Sequence, residues 1–226
     1  MNDVESIKTE KVPDVLVIPE GEARVIHEDG KTIAKDRQTI IRVGRAASLV
    51  YVATLGASTR YRRTITIELD DGARAELVGF VVGRDGGNVV LTLKEDHVRG
   101  ASWGRTTVYG LLTDASQLDL RALISIRPTA NGSDGLFEGR AMLLSRDARA
   151  TVVPSLEIEA RDVKATHRAA VGPIDPEQAF YCETRGCTLQ EAQTLIMHGF
   201  FEQLLHRLQS ETQRAAARAE WQALLP

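Results

Sequence analysis

Residues 154–172 read PSLEIEARDVKATHRAAVG, a segment that holds one histidine, His167, with Glu157, Glu159 and Asp162 upstream of it. A neutral imidazole is a good ligand for iron and titrates near neutral pH, so His167 is a candidate metal ligand. The same segment raises a hydrolase reading, in which Glu157 and Glu159, on one side of a strand, act with His167. Against both stands a plain alternative: one histidine makes no site, and two carboxylates on a strand face are ordinarily solvated. The segment also lacks a nucleophile elbow. Further along, Cys182, Cys187, His198 and His206 read Cys-x4-Cys-x10-His-x7-His. That spacing is looser than in structural zinc sites, so a metal there is not expected. Cys182 reads as a small apolar group on a helix, and Cys187, near a helix start, as a mildly activated thiol. GRDGGN at 83–88 lies between strands without the Lys and Ser/Thr of a phosphate loop, so ATP hydrolysis by this chain is not expected.

The elements that must position these residues fall into two kinds. From about Val15 to Val171, short runs rich in Val, Ile, Leu and Thr follow one another, among them QTIIRV, SLVYVATL, TITIEL, VVLTL and LEIEA. In TITIEL, Ile65, Ile67 and Leu69 share one face and Thr64, Thr66 and Glu68 the other. DDG, RDGG and ANGSDG mark turns between runs, and no helical period interrupts them. The body is therefore all β rather than βαβ. DDGARAEL, SRDARATV and IEARDVKA echo one another at turns, a weak sign of stacked coils.

After Gly172 the pattern changes. Asp175 is placed to cap a helix that opens on Pro176 and ends at Gly186. Thr188 and Glu191 form a capping box ahead of a second helix. In it Ala192, Ile196, Phe200, Leu204 and Leu208 recur every four residues, and Leu189, Leu195, Met197, Phe201 and Leu205 widen the apolar surface beyond one stripe. Such a helix needs two partners. One is expected to be the end of the β body. The other is either a second polypeptide or the terminal AAARAEWQALL folded back.

Composition sets the remaining bounds. The chain has 226 residues and a net charge of −3, which gives no general pull toward nucleic acid or anionic membrane. No run approaches the roughly 20 apolar residues that span a bilayer. The charged N-terminus does not read as a signal peptide, and two cysteines suit a reduced, cytoplasmic setting.

PSLEIEARDVKATHRAAVG followed by DPEQAFYCETRGCTLQEAQTLIMHGFFEQLL closely resembles the C-terminal signature of the SufB/SufD family, scaffold proteins of the SUF iron–sulfur cluster assembly machinery. TITIELDDGARAELVGFVVG and GRAMLLSRDARATVVP resemble that family's β-helix coils. The resemblance implies a mainly β chain: a right-handed parallel β-helix over 15–172, then a small helical domain over 173–226, with 1–14 extended or disordered. It implies a non-enzymatic scaffold that pairs through its β-helix with SufB or a second copy, and whose helices dock the SufC ATPase. The residues assigned to docking are Phe180, Tyr181, Arg185, Gly186, Leu195, Gly199, Phe200 and Phe201, some of which must be internal core. SufD is the nearer relative, because Gly139 stands where SufB proteins carry a cysteine and His167 where SufD proteins carry a histidine at the assembly interface. Alongside these likenesses, Ala165 replaces a cysteine frequent in SufD proteins, the loop KEDHVRGASWGRT is poor in histidine, and the family's N-terminal helical region is expected to be missing. No stably bound cofactor is expected, only a transient iron–sulfur cluster at a partner interface. A structural β-helix homo-oligomer without a cluster role is the alternative, and the hydrolase a more distant one.

Overall fold

The computed structural model describes residues 12–29 and 36–224; most of the N-terminal segment 1–14 lies outside them. Strands β1 (Val15–Ile18), β3 (Asp36–Val43), β5 (Arg60–Leu69), β7 (Asn88–His97), β9 (Gln117–Ile126) and β11 (Arg149–Ile158) form one parallel sheet in that order. The second parallel sheet holds β2 (Ala23–Asp29), β4 (Ser48–Ala57), β6 (Arg74–Gly83), β8 (Trp103–Leu112), β10 (Asp134–Leu143) and β12 (Lys164–Pro173). The chain alternates between the sheets, and each strand pairs with the one two places on. This is the expected parallel β-helix, of about five turns.

A backbone ladder carries the chain round one corner. Gly21, Ala46, Gly72, Ala101 and Gly132 occupy successive coils at the same place, with φ of 72, 53, 63, 55 and 77°. Each donates its amide to the next coil, to the carbonyls of Arg45, Asp71, Gly100, Asn131 and Asp162. A left-handed residue reverses the chain within one step, and glycine takes that conformation without the steric cost alanine meets. Beside it a small buried residue fills the corner: Ala47, Ala73, Ser102 and Ser133.

Alternation then sorts the side chains. Leu49, Tyr51, Ile65, Leu77, Leu93, Leu120 and Phe137 point between the sheets and form one apolar column. Charge that enters this interior is paired, as burial requires. Arg63 and Glu28 are both sealed from solvent, with Nη2 2.9 Å from Oε2, and the Tyr51 hydroxyl donates to the same carboxylate.

The even-numbered sheet is covered on its outer face as well. Helix α1 (Pro176–Thr184) starts from the Asp175 cap, and α2 (Leu189–Leu205) from the Thr188–Glu191 capping box, as the sequence implies. Gly186, at φ 95°, follows the end of α1. The second helix does not dock on the end of the β body. It lies across the outer face of β4, β6 and β8, where Val78, Phe80, Val82, Tyr109 and Leu111 meet Met197, Phe201, Leu204 and Leu205. The outward positions of these strands are apolar, so this face offers the helix more surface than the coil end does. The other side of α2 is taken by α3 (Glu211–Gln222): the Phe201 ring lies 5.7 Å from Phe80 and 4.8 Å from Trp221. The terminal segment thus folds back, and Arg218 clamps Glu202 through two bonds of 2.7 and 2.9 Å. Glu220 ties α3 to the sheet, accepting from Thr54 at 2.7 Å and lying 3.8 Å from the His27 ring.

Two outcomes follow from this packing. Phe201→Ala should lower the unfolding free energy by about 3–5 kcal/mol, and exposed Leu195→Ala by under about 0.5 kcal/mol. Denaturant titration reads both, and equal effects would contradict the packing of α2. Burial pushes the Glu220 carboxyl up, but the His27 ring and the Thr54 hydroxyl outweigh it and hold it below its ordinary value. A carboxyl depressed in the folded state stabilises above its unfolded pKa and loses that contribution as pH falls through the folded value. In a Trp103→Phe background, Trp221 emission should therefore shift red as pH drops below about 4. Glu220→Gln should flatten that shift, and an unchanged titration would show that Glu220 does not hold α3.

Candidate functional site at the open end and the helical face

The last coil has no successor. Register carries the inward positions of β9 onto β11, so Leu118, Leu120, Ala122, Ile124 and Ile126 align with Ala150, Val152, Pro154, Leu156 and Ile158. On β12, Phe137 aligns with His167 and Ala141 with Val171. These positions belong to the interior column, yet Leu156, Ile158 and Val171 are exposed, because no further coil among the described residues stacks on them. Both strands also leave one edge of backbone donors and acceptors unpaired within the two sheets. Unpaired strand edges and exposed apolar side chains together mark a surface for another chain.

His167 sits in the middle of this rim, on an inward position, exposed. Gly139 lies on the neighbouring strand, one inward step further on. A Cβ there would meet Val152 Cγ1 at 2.7 Å and the Phe137 ring at 2.8 Å. The space a thiol would need is already filled by Phe137, so the position suits glycine in this chain. Ala165, the other position at which the resemblance implies a cysteine, packs against the apolar core and is half-buried. The rim therefore offers one imidazole and no thiolate.

The second exposed surface is helical. Phe180, Tyr181 and Leu195 are 66, 60 and 59 % exposed, and Leu189 joins them. The Arg185 guanidinium stacks on the Tyr181 ring at 5.1 Å. Thr188, Glu191, Thr194, Leu195 and His198 line a groove of about 590 Å³ beside them. Gly199 is exposed, with open space where a Cβ would go. Two of the residues assigned to docking by sequence lie elsewhere. Phe201 is fully buried between Phe80 and Trp221 and belongs to the core. Phe200 is half-buried, stacked at 4.7 Å on Tyr109 of the sheet. Both are consumed by docking α2 on its own β body, for which the helical period alone gives no signal.

The remaining chemistry does not assemble. Glu157 points to the outside of the odd-numbered sheet, where the Ser125 hydroxyl reaches it at 3.4 Å, while His167 points inward from the other sheet. The hydrolase grouping is therefore split by the alternation of the strands. Cys182 and Cys187 are free and half-buried, and His198 packs edge-on against Trp221 at 5.2 Å. Among the described residues no group of three or more His, Cys, Asp and Glu side chains could hold a metal ion. One triad-like arrangement escaped sequence reasoning. His97 bridges Glu95 at 3.0 Å and Ser102 at 2.8 Å. Ser102 is only 1 % exposed and is bonded to Ser133, so it is a corner filler sealed from any substrate. The room for it is left by Gly104, where a Cβ would strike the Glu95 carboxylate, and by Gly135, where one would crowd Ile124 and the His97 ring. No helix among the described residues is long and apolar enough to cross a membrane.

Comparison with known proteins agrees with this architecture. Residues 20–200 match the SufBD core domain of SUF system FeS cluster assembly. The chain is 31 % identical over 141 residues to the iron–sulfur cluster assembly protein SufD of Bacillus subtilis, covering 62 % of this chain and 32 % of that protein. It is 34 % identical over 116 residues to SufD of Escherichia coli, covering 51 % and 27 % respectively. A SufBD family iron–sulfur cluster assembly protein of Mycobacterium tuberculosis is 31 % identical over 176 residues, covering 74 % and 44 %. The matches thus span between 27 and 44 % of the length of these relatives. The chain belongs to the SufBD core family of the SUF system, as a SufD-like member.

Proposed function

We propose that this chain is a non-catalytic scaffold subunit of iron–sulfur cluster assembly. Its open coil end pairs with a SufB-type partner or a second copy, and its α1–α2 face docks the SufC ATPase. The observation that carries the reading is the pair of unsatisfied surfaces in a family member. One is a rim of inward-type residues, Leu156, Ile158, His167 and Val171, left exposed. The other is an aromatic helical face, Phe180 and Tyr181, left largely exposed among the described residues.

The iron–sulfur cluster is cargo in this scheme. Iron–sulfur clusters are held mainly by thiolates, with imidazole as an occasional replacement. His167 supplies one nitrogen at the rim, and the sulfur ligands come from the partner across the interface. Aromatic side chains that bury on association dominate the energy of such interfaces, which assigns the SufC contact to Phe180 and Tyr181, with Leu195 beside them. The loss of thiols at Gly139 and Ala165 keeps the structural homo-oligomer as the second reading.

Pull-down with the cognate SufC tests the helical face. Binding at micromolar Kd or better is expected for the parent, with a loss of about 100-fold or more in Phe180→Asp/Tyr181→Asp. The melting temperature should stay unchanged, since neither ring is part of the core. Retained binding in a folded double variant would place SufC elsewhere. The rim is tested by sedimentation of the parent with SufB against Leu156→Asp/Ile158→Asp, which should remain monomeric. Anaerobic reconstitution with iron and sulfide then separates the two readings. A cluster absorbance that drops in His167→Ala supports the cluster role, and equal spectra would leave a structural oligomer.

A further inference from the structure

A cavity of about 420 Å³ opens on the outer face of the even-numbered sheet, between β8, β10, β12 and the C-terminal end of α2. Its walls carry Glu138, Arg140, Arg168, Gln203, His206 and Arg207. Three guanidiniums thus face one carboxylate, and that carboxylate is already engaged. Glu138 accepts from the Tyr109 hydroxyl at 3.0 Å and from Arg207 at 2.8 Å. Arg140 lies 3.9 Å from it, and its own donors go to neutral groups, the Gln203 amide oxygen at 3.0 Å and the Tyr109 hydroxyl at 3.4 Å. Arg168 stands beside Glu138 in the strand register but has no ion pair or hydrogen bond through its side chain among the described residues. Arg207 also feels the Glu76 carboxylate beyond the cavity wall, which leaves Arg168 as the guanidinium without an acidic partner among the described residues and Arg140 as one bonded mainly to neutral groups. A half-enclosed wall with uncompensated guanidinium charge repels cations and favours anions.

We propose that this cavity binds a small oxyanion of the phosphate type, either free or as the phosphate group of a larger ligand. Planar guanidiniums match the oxygen edges of such a group and bind it through paired, charge-assisted bonds. Arg168 and Arg140 are the principal donors, Arg207 contributes while held by Glu138, and the Gln203 amide donates its N–H. Ala170 on β12 contributes a wall without a long side chain, which leaves the volume open. A second cavity of about 370 Å³ shares Arg140, Ala170 and Gln203 and continues toward Met142, Pro173 and Phe200. A free phosphate held by the guanidiniums of the first cavity would leave this second one empty. The inference does not depend on the scaffold reading: Arg168 faces outward, whereas His167 and the rim face inward.

Calorimetric titration of the full chain with inorganic phosphate, at constant ionic strength set with chloride, tests it. Saturable binding is expected at about millimolar Kd, with a rise in melting temperature that chloride does not reproduce. Arg168→Ala should weaken it about tenfold or more without altering the melting temperature in phosphate-free buffer. Arg168→Lys should restore part of the loss. Adenosine monophosphate separates the two sources: tighter binding than phosphate assigns a larger ligand reaching the second cavity, equal binding a free oxyanion. Absence of phosphate binding by the parent, or the same affinity in Arg168→Ala, would overturn the proposal.

Discussion

Everything in this molecule depends on the coil-to-coil register held by backbone amides at the corner residues Gly21, Ala46, Gly72, Ala101 and Gly132. A parallel strand needs its neighbour at a fixed offset, and a one-residue slip would turn every inward side chain out. The corner ladder keeps that offset although the coils differ in length. Because of it, Leu77, Leu93 and Phe137 meet in one column and the outward positions Val78, Phe80 and Tyr109 meet α2. The same constraint leaves β11 and β12 as a coil with one face satisfied and the other waiting.

The strands and the change of character after Gly172 were legible because alternation and capping are local signals. Ile65, Ile67 and Leu69 alternate within one strand, and the Asp175 and Thr188 caps need only a few residues to be recognised. The coil repeat was much harder to see. Successive register partners Ser48, Arg74, Trp103, Asp134 and Lys164 are unevenly spaced and share no residue type. What repeats is a backbone conformation, and alanine at 46 and 101 fills it as well as glycine does, so the letters vary while the geometry holds. The echo of Ala-Arg at the turns mixed two different corners, since DDGARAEL enters the even-numbered sheet and SRDARATV the odd-numbered one.

Sites were legible only where they did not depend on which side a strand or helix turns. Glu157 and His167 are neighbours in sequence, and a crossing from one sheet to the other sends them to opposite sides. For α2, apolar residues on more than one side announced two partners without saying which residue met which. The answer lies in the outer face of β4, β6 and β8, whose apolar positions cannot be told from interior ones by composition. Phe201 went to that face and to Trp221, which leaves Leu195 and the rings of α1 outside.

The rim and the helical face differ in what they demand of a partner. An open coil end asks for backbone complementarity first, because its strand edges need donors and acceptors at fixed spacing, and only then for apolar contact. Another β-helix end would meet such a demand, whether from a second copy of this chain or from a relative. Specificity must then come from the side chains at the rim. Here Gly139 is crowded by Phe137 while His167 is exposed, so two identical copies would bring two imidazoles and no thiolate to the junction. A partner carrying cysteine at the position of Gly139 would bring sulfur to the same place. Under the proposed pairing, the choice between passive association and cluster chemistry would lie with the partner, because this rim supplies an imidazole and no thiolate.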